Sequence, residues 1–177
     1  MQERVLATSG VAILEHTTTI IGRLFSWCSI LLMMVIVAVV ALRYGFNIGL
    51  IALQDSALFV HGLIFMGGAA YTLQRDKHVR VDVFYRAFSE RRKALINLVG
   101  HLIFLFPVVL FIAISSETFI AMSWKMAEAS PESGGLPGFF ILKSYLWLFC
   151  FLMGLQGISE CVRNLRILRQ KEASNDG

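Results

Sequence analysis

In this 177-residue chain the side chains equipped for chemistry are few: four histidines, twelve acids, three cysteines and a single lysine placed inside an apolar run. His61 and His101 both fall in apolar stretches, and two imidazoles on facing helices would be the arrangement for axial ligation of a haem. Their levels argue against it. His61 is about 8 Å inside one end of its stretch and His101 about 10 Å inside the opposite end of its own, so the two differ by roughly 9 Å along the helix direction. Hydrogen bonding to neighbouring helices is the expected role of both. His16 and His78 lie in polar flanks and are expected to be solvated. An ion-coupled transporter that works alone needs ionisable groups at mid-membrane to bind and release its coupling ion. Here the twelve acids avoid the centres of the apolar runs, with Asp55 and Glu160 at their ends. A small multidrug-type exporter would need such a buried acid. Cys28, Cys150 and Cys161 are too scattered for a disulfide framework or a metal site and read as small core residues. There is no Ser/His/Asp set, no phosphate-binding loop and no metal-spaced cluster, so no catalytic role and no cofactor are expected in this chain.

The elements that hold these residues are set by composition. Hydrophobic residues make up 56% of the chain, charged residues 16%, and the mean hydropathy is +0.68. A soluble domain carries about 25% charge, and a chain this short cannot hide so much apolar surface within itself. The solvent is lipid, and the expected fold is all-α, a single four-helix integral membrane domain. The charge-free run Leu24–Leu42, bracketed by Arg23 and Arg43, would extend about 28 Å as a helix, enough to cross a bilayer core. Three further spans are expected over residues 56–73, 94–114 and 139–158, the last containing Lys143. The first is too long for a signal peptide and lacks a small-residue cleavage site, so it reads as an uncleaved span. Pro107 is expected to kink the third.

The 16 Lys and Arg residues are sorted by side: two in residues 1–23, seven in 74–93 and four in 159–177, against Arg43, Lys125 and Lys143 elsewhere. By the positive-inside rule both termini and the middle loop are cytoplasmic. The basic residues then face anionic lipid heads, and nucleic acid is not an expected partner. Residues 45–54 place Phe46, Leu50 and Leu53 on one helical face, which predicts a short helix lying in the outer interface. Asp82 is expected to cap a second short helix through Phe88 at the inner surface. The third span is expected to project past the bilayer until Ser130–Pro131 stops it, with Gly134–Gly138 as a turn into the fourth. Lys143 is close enough to its span's end to snorkel toward lipid heads or to meet an acid of a partner. Gly67–Gly68–Ala69–Ala70 is a smooth patch for close helix approach.

The order of these pieces resembles the small membrane subunit, DctQ-like, of a tripartite ATP-independent periplasmic (TRAP) transporter, over roughly residues 20–165. Three passages carry the likeness. They are Arg43–Tyr44 leading into the second span, Arg75-Asp76-Lys77-His78-Val79-Arg80-Val81-Asp82 after it, and Trp124 followed by Ser130-Pro131-Glu132-Ser133-Gly134-Gly135-Leu136-Pro137 and Lys143. This chain has Gln54 where many members carry the first of an acidic pair ending at Asp55. The resemblance implies a non-catalytic scaffold in the bacterial inner membrane for a large, sodium-binding elevator permease. A periplasmic binding protein would deliver the substrate, an organic acid. It also implies Arg43, Asp55, His78, Asp82, Trp124, Glu132 and Lys143 as candidate contacts to the partners or to membrane phospholipid. The alternative from another class is a membrane anchor of a respiratory complex, with or without haem.

Overall fold

A computed structural model describes residues 2–75 and 88–172, with side chains described for 16–75 and 88–169. Four helices make up the described chain: α1 (Gln2–Val40), α2 (Ile51–Gln74), α3 (Glu90–Lys125) and α4 (Phe139–Glu172). Each is long and apolar enough to cross a membrane. All four exceed the expected spans. Nothing in residues 2–40 breaks a helix, so α1 starts well before Leu24; α3 runs for 36 residues, about 54 Å.

α1 packs on α2, α2 on α4 and α3 on α4, so α4 is the element that touches all the others. The small core lies at these crossings: Ala70 and Leu73 of α2 meet Leu152 and Met153 of α4, with Ile21, Phe25, Leu105 and Val109 around them. Gly22 and Gly67 let α1 and α2 approach closely, because a Cβ on either would collide with the side chain of Tyr71 or of Phe25 respectively. Most large apolar side chains stay exposed on the outside of the bundle, among them Trp27, Met34, Phe65, Phe104, Phe111 and Phe151. That is the pattern of helices solvated by lipid or by other helices.

The end of α2 and the start of α3 lie at one end of the bundle; the α1–α2 and α3–α4 connections meet at the other, here called the loop end. Pro107 shapes α3 as a widening of the helix. The turns His101–Leu105 are π-helical, which accommodates the missing proline N–H and the bulk of its ring one turn later.

Two expectations change. Residues 45–54 do not form a short outer helix. α1 ends in a π-helical turn, Ala41–Gly45, and Asn47 in a left-handed conformation (φ 55) turns the chain away; Ile51–Gln74 is already α2. An Asn tolerates that conformation, and the two flanking glycines do nothing to prolong a helix. The second short helix, with Asp82 as its cap, lies outside the described residues, as do His78 and Asp82 themselves. The second change concerns charge: Glu160, expected at the end of a span, is inside the bundle. Glu160 is only 4% exposed, pairs with Arg163 at 2.5 Å and accepts a hydrogen bond from Gln156 Nε2 at 3.2 Å. The α4 helix continues past the expected span end at residue 158, so Glu160 is packed within the bundle rather than released at its edge. Gln156, Ser159 and Asn164 are buried beside it, forming a polar strip along α4.

Candidate functional site

The loop end concentrates the polar interactions that link distant parts of the chain. α3 ends with a tight cap in which Glu128 N–H donates to Ser123 O (3.0 Å) and Ala127 N–H to Trp124 O (3.1 Å), with Ala127 left-handed at φ 47. The chain then folds back on itself. Ser130 N–H donates to Leu136 O at 3.0 Å, Ala129 and Pro137 pair as an antiparallel bridge, and Phe139 N–H donates to Glu128 O at 2.9 Å. Gly134 (φ 82) and Gly138 (φ 100) supply the two left-handed turns that this return requires.

Asp55, at the start of α2, fastens this loop. Its Oδ2 accepts the Leu136 N–H at 2.9 Å across 81 residues of sequence. Gly135 makes the approach possible, because a Cβ there would run into Ser130 and the Asp55 carboxylate. Beside this contact is an open cleft of about 740 Å³ lined by Arg43, Tyr44, Asn47, Gln54, Asp55 and Glu132.

A second cluster holds α3 to α4. Lys143 Nζ pairs with Glu128 Oε2 at 2.5 Å, Ser123 Oγ donates to the same oxygen at 2.6 Å, and the ammonium lies 3.9 Å from the Phe119 ring centroid. Trp124 Nε1 donates to Ser144 Oγ at 2.8 Å while its ring packs at 4.5 Å on Phe140. The Lys143 ammonium foremost, then the Ser123 hydroxyl, hold the Glu128 carboxyl below its ordinary pKa of 4.5. Because the folded-state value is the lowered one, the pair stabilises the loop fully above the ordinary value, and that contribution is lost as pH falls through the lowered one. The difference in Tm between the wild-type chain and Glu128→Gln, measured in detergent, is therefore expected to be constant near neutral pH and to shrink in acid below 4.5. A difference that grows on acidification would contradict the pairing.

The structure thus brings five of the seven sequence-nominated residues to one end. Arg43, Asp55 and Glu132 share the cleft; Trp124 and Lys143 share the α3–α4 cluster. Lys143 finds its acid within its own chain. Glu128, which sequence reasoning passed over, is that acid; the available signal was a lysine just inside a span whose preceding loop carries Glu128 and Glu132. The two span histidines diverge further than expected. Gly62, next to His61, lies against Leu142 and Tyr145, whereas Gly157 lies against Leu105 and Phe106, a turn beyond His101. The histidines are thus separated by about 20 Å or more along α4. His61 is exposed and His101 buried, so they do not share a haem.

Four membrane-length helices, tied at one end by a folded loop and exposing apolar faces along their length, define a multi-pass α-helical membrane protein. The family model for the DctQ component of tripartite ATP-independent periplasmic transporters matches residues 32–167, and the chain belongs to that family. No curated protein and no solved structure matches it.

Proposed function

We propose that this chain is the non-catalytic small permease subunit of a sodium-coupled TRAP transporter. It scaffolds a large elevator-type permease, which holds the sodium ions and takes up an organic acid delivered by a periplasmic binding protein. In this reading the protein is in the bacterial inner membrane with both termini and residues 74–93 cytoplasmic, since 13 of the 16 basic residues fall on that side. The loop end with Asp55, Glu128 and Lys143 then faces the periplasm. The observation that carries the scaffold role is the way these charges are spent. Glu128 and Lys143 neutralise each other, Asp55 fastens a loop, and Glu160 pairs with Arg163. Polar groups so engaged set the shape of the bundle; they are not poised to capture and release an ion.

The test is co-expression of the tagged chain with the large permease of its own transporter in a strain lacking both. The large subunit is expected to copurify in mild detergent, and substrate uptake is expected to need both chains plus the binding protein. Uptake by the large permease without this chain, or purification of this chain alone, would overturn the reading.

A further inference from the structure

An open groove runs between α1 and α2. It has a volume of about 500 Å³, with Gly22, Phe25, Ser26 and Ser29 on one wall and Phe65 and Gly68 on the other. Residues 58, 61, 65, 68 and 72 recur at helical spacing, so Leu58 and His61 continue the same face of α2. Gly22 against Tyr71, Phe25 against Gly67 and Thr19 bonded to Gln74 fix the antiparallel register of α1 and α2. That register carries His61 to the level of Leu32, within the charge-free run Leu24–Leu42, and its neighbour Gly62 lies against Leu142 and Tyr145, about one turn inside α4. His61 is nevertheless exposed. Its ring stacks on Phe65, centroids 6.4 Å apart, and among the described residues nothing hydrogen-bonds it.

Two of the neighbouring hydroxyls differ in this respect. Ser26 Oγ donates to Gly22 O at 2.8 Å and Thr72 Oγ1 to Gly68 O at 3.1 Å, so each is satisfied by its own helix and tolerates lipid. A neutral imidazole keeps one donor and one acceptor, and acyl chains offer it neither; leaving both unmet in hydrocarbon is costly. Gly68 adds a shape argument, because a Cβ built on it meets nothing within 4 Å. The glycine leaves a depression that the chain's own packing does not use. The outer face of α3 is the contrast: Leu102, Phe104, Phe111 and Ile114 are exposed there and wholly apolar, which suits lipid.

From this geometry we infer that the α1–α2 groove seats a transmembrane helix of the large permease, close-packed over Gly68 and carrying a hydrogen-bonding side chain at the level of His61. The inference rests on the subunit reading above and adds the face by which the subunit binds. A partner helix satisfies both the imidazole and the depression, whereas lipid satisfies only the surrounding apolar side chains.

The experiment is recovery of the co-expressed large permease on the tagged chain, in the wild type and four variants. His61→Leu removes the hydrogen bond at no cost toward lipid and is expected to lower recovery roughly threefold to tenfold. Gly68→Phe fills the depression and is expected to lower it at least as much. His61→Gln, which can still hydrogen-bond, and Phe111→Leu on α3 are expected to match the wild type. Helix content and a monodisperse elution profile report that each variant is folded. The wild-type chain tests the subunit reading, and the variants test the face. Wild-type recovery by both His61→Leu and Gly68→Phe would overturn the inference. Loss with Phe111→Leu instead would do so too.

Discussion

Gly22→Ala is expected to pull α1 away from α2 and to cost about 3 kcal/mol, at the upper end of what overpacking does. The added Cβ would collide with Cβ and Cγ of Tyr71. Tyr71 Cβ, only 2.5 Å from the added atom, is fixed by the backbone and cannot rotate out of the way, so the two helix backbones must separate. Separation also loosens Phe25 over Gly67 and the Ala70–Leu73 corner of the core, which depends on Ile21 and Phe25. Gly154→Ala is the matched control: it is in α4, a Cβ there meets nothing within 4 Å, and alanine is the better helix former by up to about 1 kcal/mol. Thermal unfolding in detergent, followed by circular dichroism, should show a marked fall in Tm for the first and none for the second. Equal Tm values for Gly22→Ala and the wild type would mean that α1 and α2 are not packed in this register.

Asp55→Ala is expected to release the 128–139 loop from α2. The Leu136 N–H donates to a carboxylate, and hydrogen bonds to charged groups contribute about 2 kcal/mol net. The loss falls on the loop and its cleft, because the helix crossings do not involve Asp55. Asp55→Asn keeps an acceptor oxygen at the same place and should restore most of the contact. Limited proteolysis between Ser130 and Gly138 reads this directly: cleavage is expected to be many-fold faster in Asp55→Ala, with near-wild-type resistance in Asp55→Asn. If both variants resist protease like the wild type, the loop is held by its internal hydrogen bonds alone. In the proposed assembly, Asp55→Ala should also lower uptake without altering substrate preference, since the loop shapes the scaffold and not the substrate site.

How legible the chain was differs by level. The spans could be read from charge-free runs, because a membrane core forbids unpaired charge over about 30 Å and the helix rise fixes the number of residues needed. The loop return at Ser130–Pro131 and Gly134–Gly138 could be read too, since proline and glycine restrict or permit backbone angles whatever surrounds them. Residues 45–54 misled, because an amphipathic spacing says which face would be apolar if a helix formed. It does not weigh the left-handed turn at Asn47 that prevents one. Glu160 misled for a related reason: hydropathy ended the fourth span at residue 158, while packing carried α4 on and buried the acid.

By itself the sequence determined that this is an all-helical membrane chain with four stretches long and apolar enough to cross a bilayer. Hydrophobicity and charge act residue by residue against a uniform solvent, so their sums can be read along a line. Only the tertiary structure decided that Lys143 meets Glu128, that Asp55 reaches Leu136, and that His61 is exposed beside a groove while His101 is buried. Those outcomes depend on the rotation and register of one helix against another. They are set by contacts of a few ångströms, such as Gly22 on Tyr71, between residues far apart in the chain.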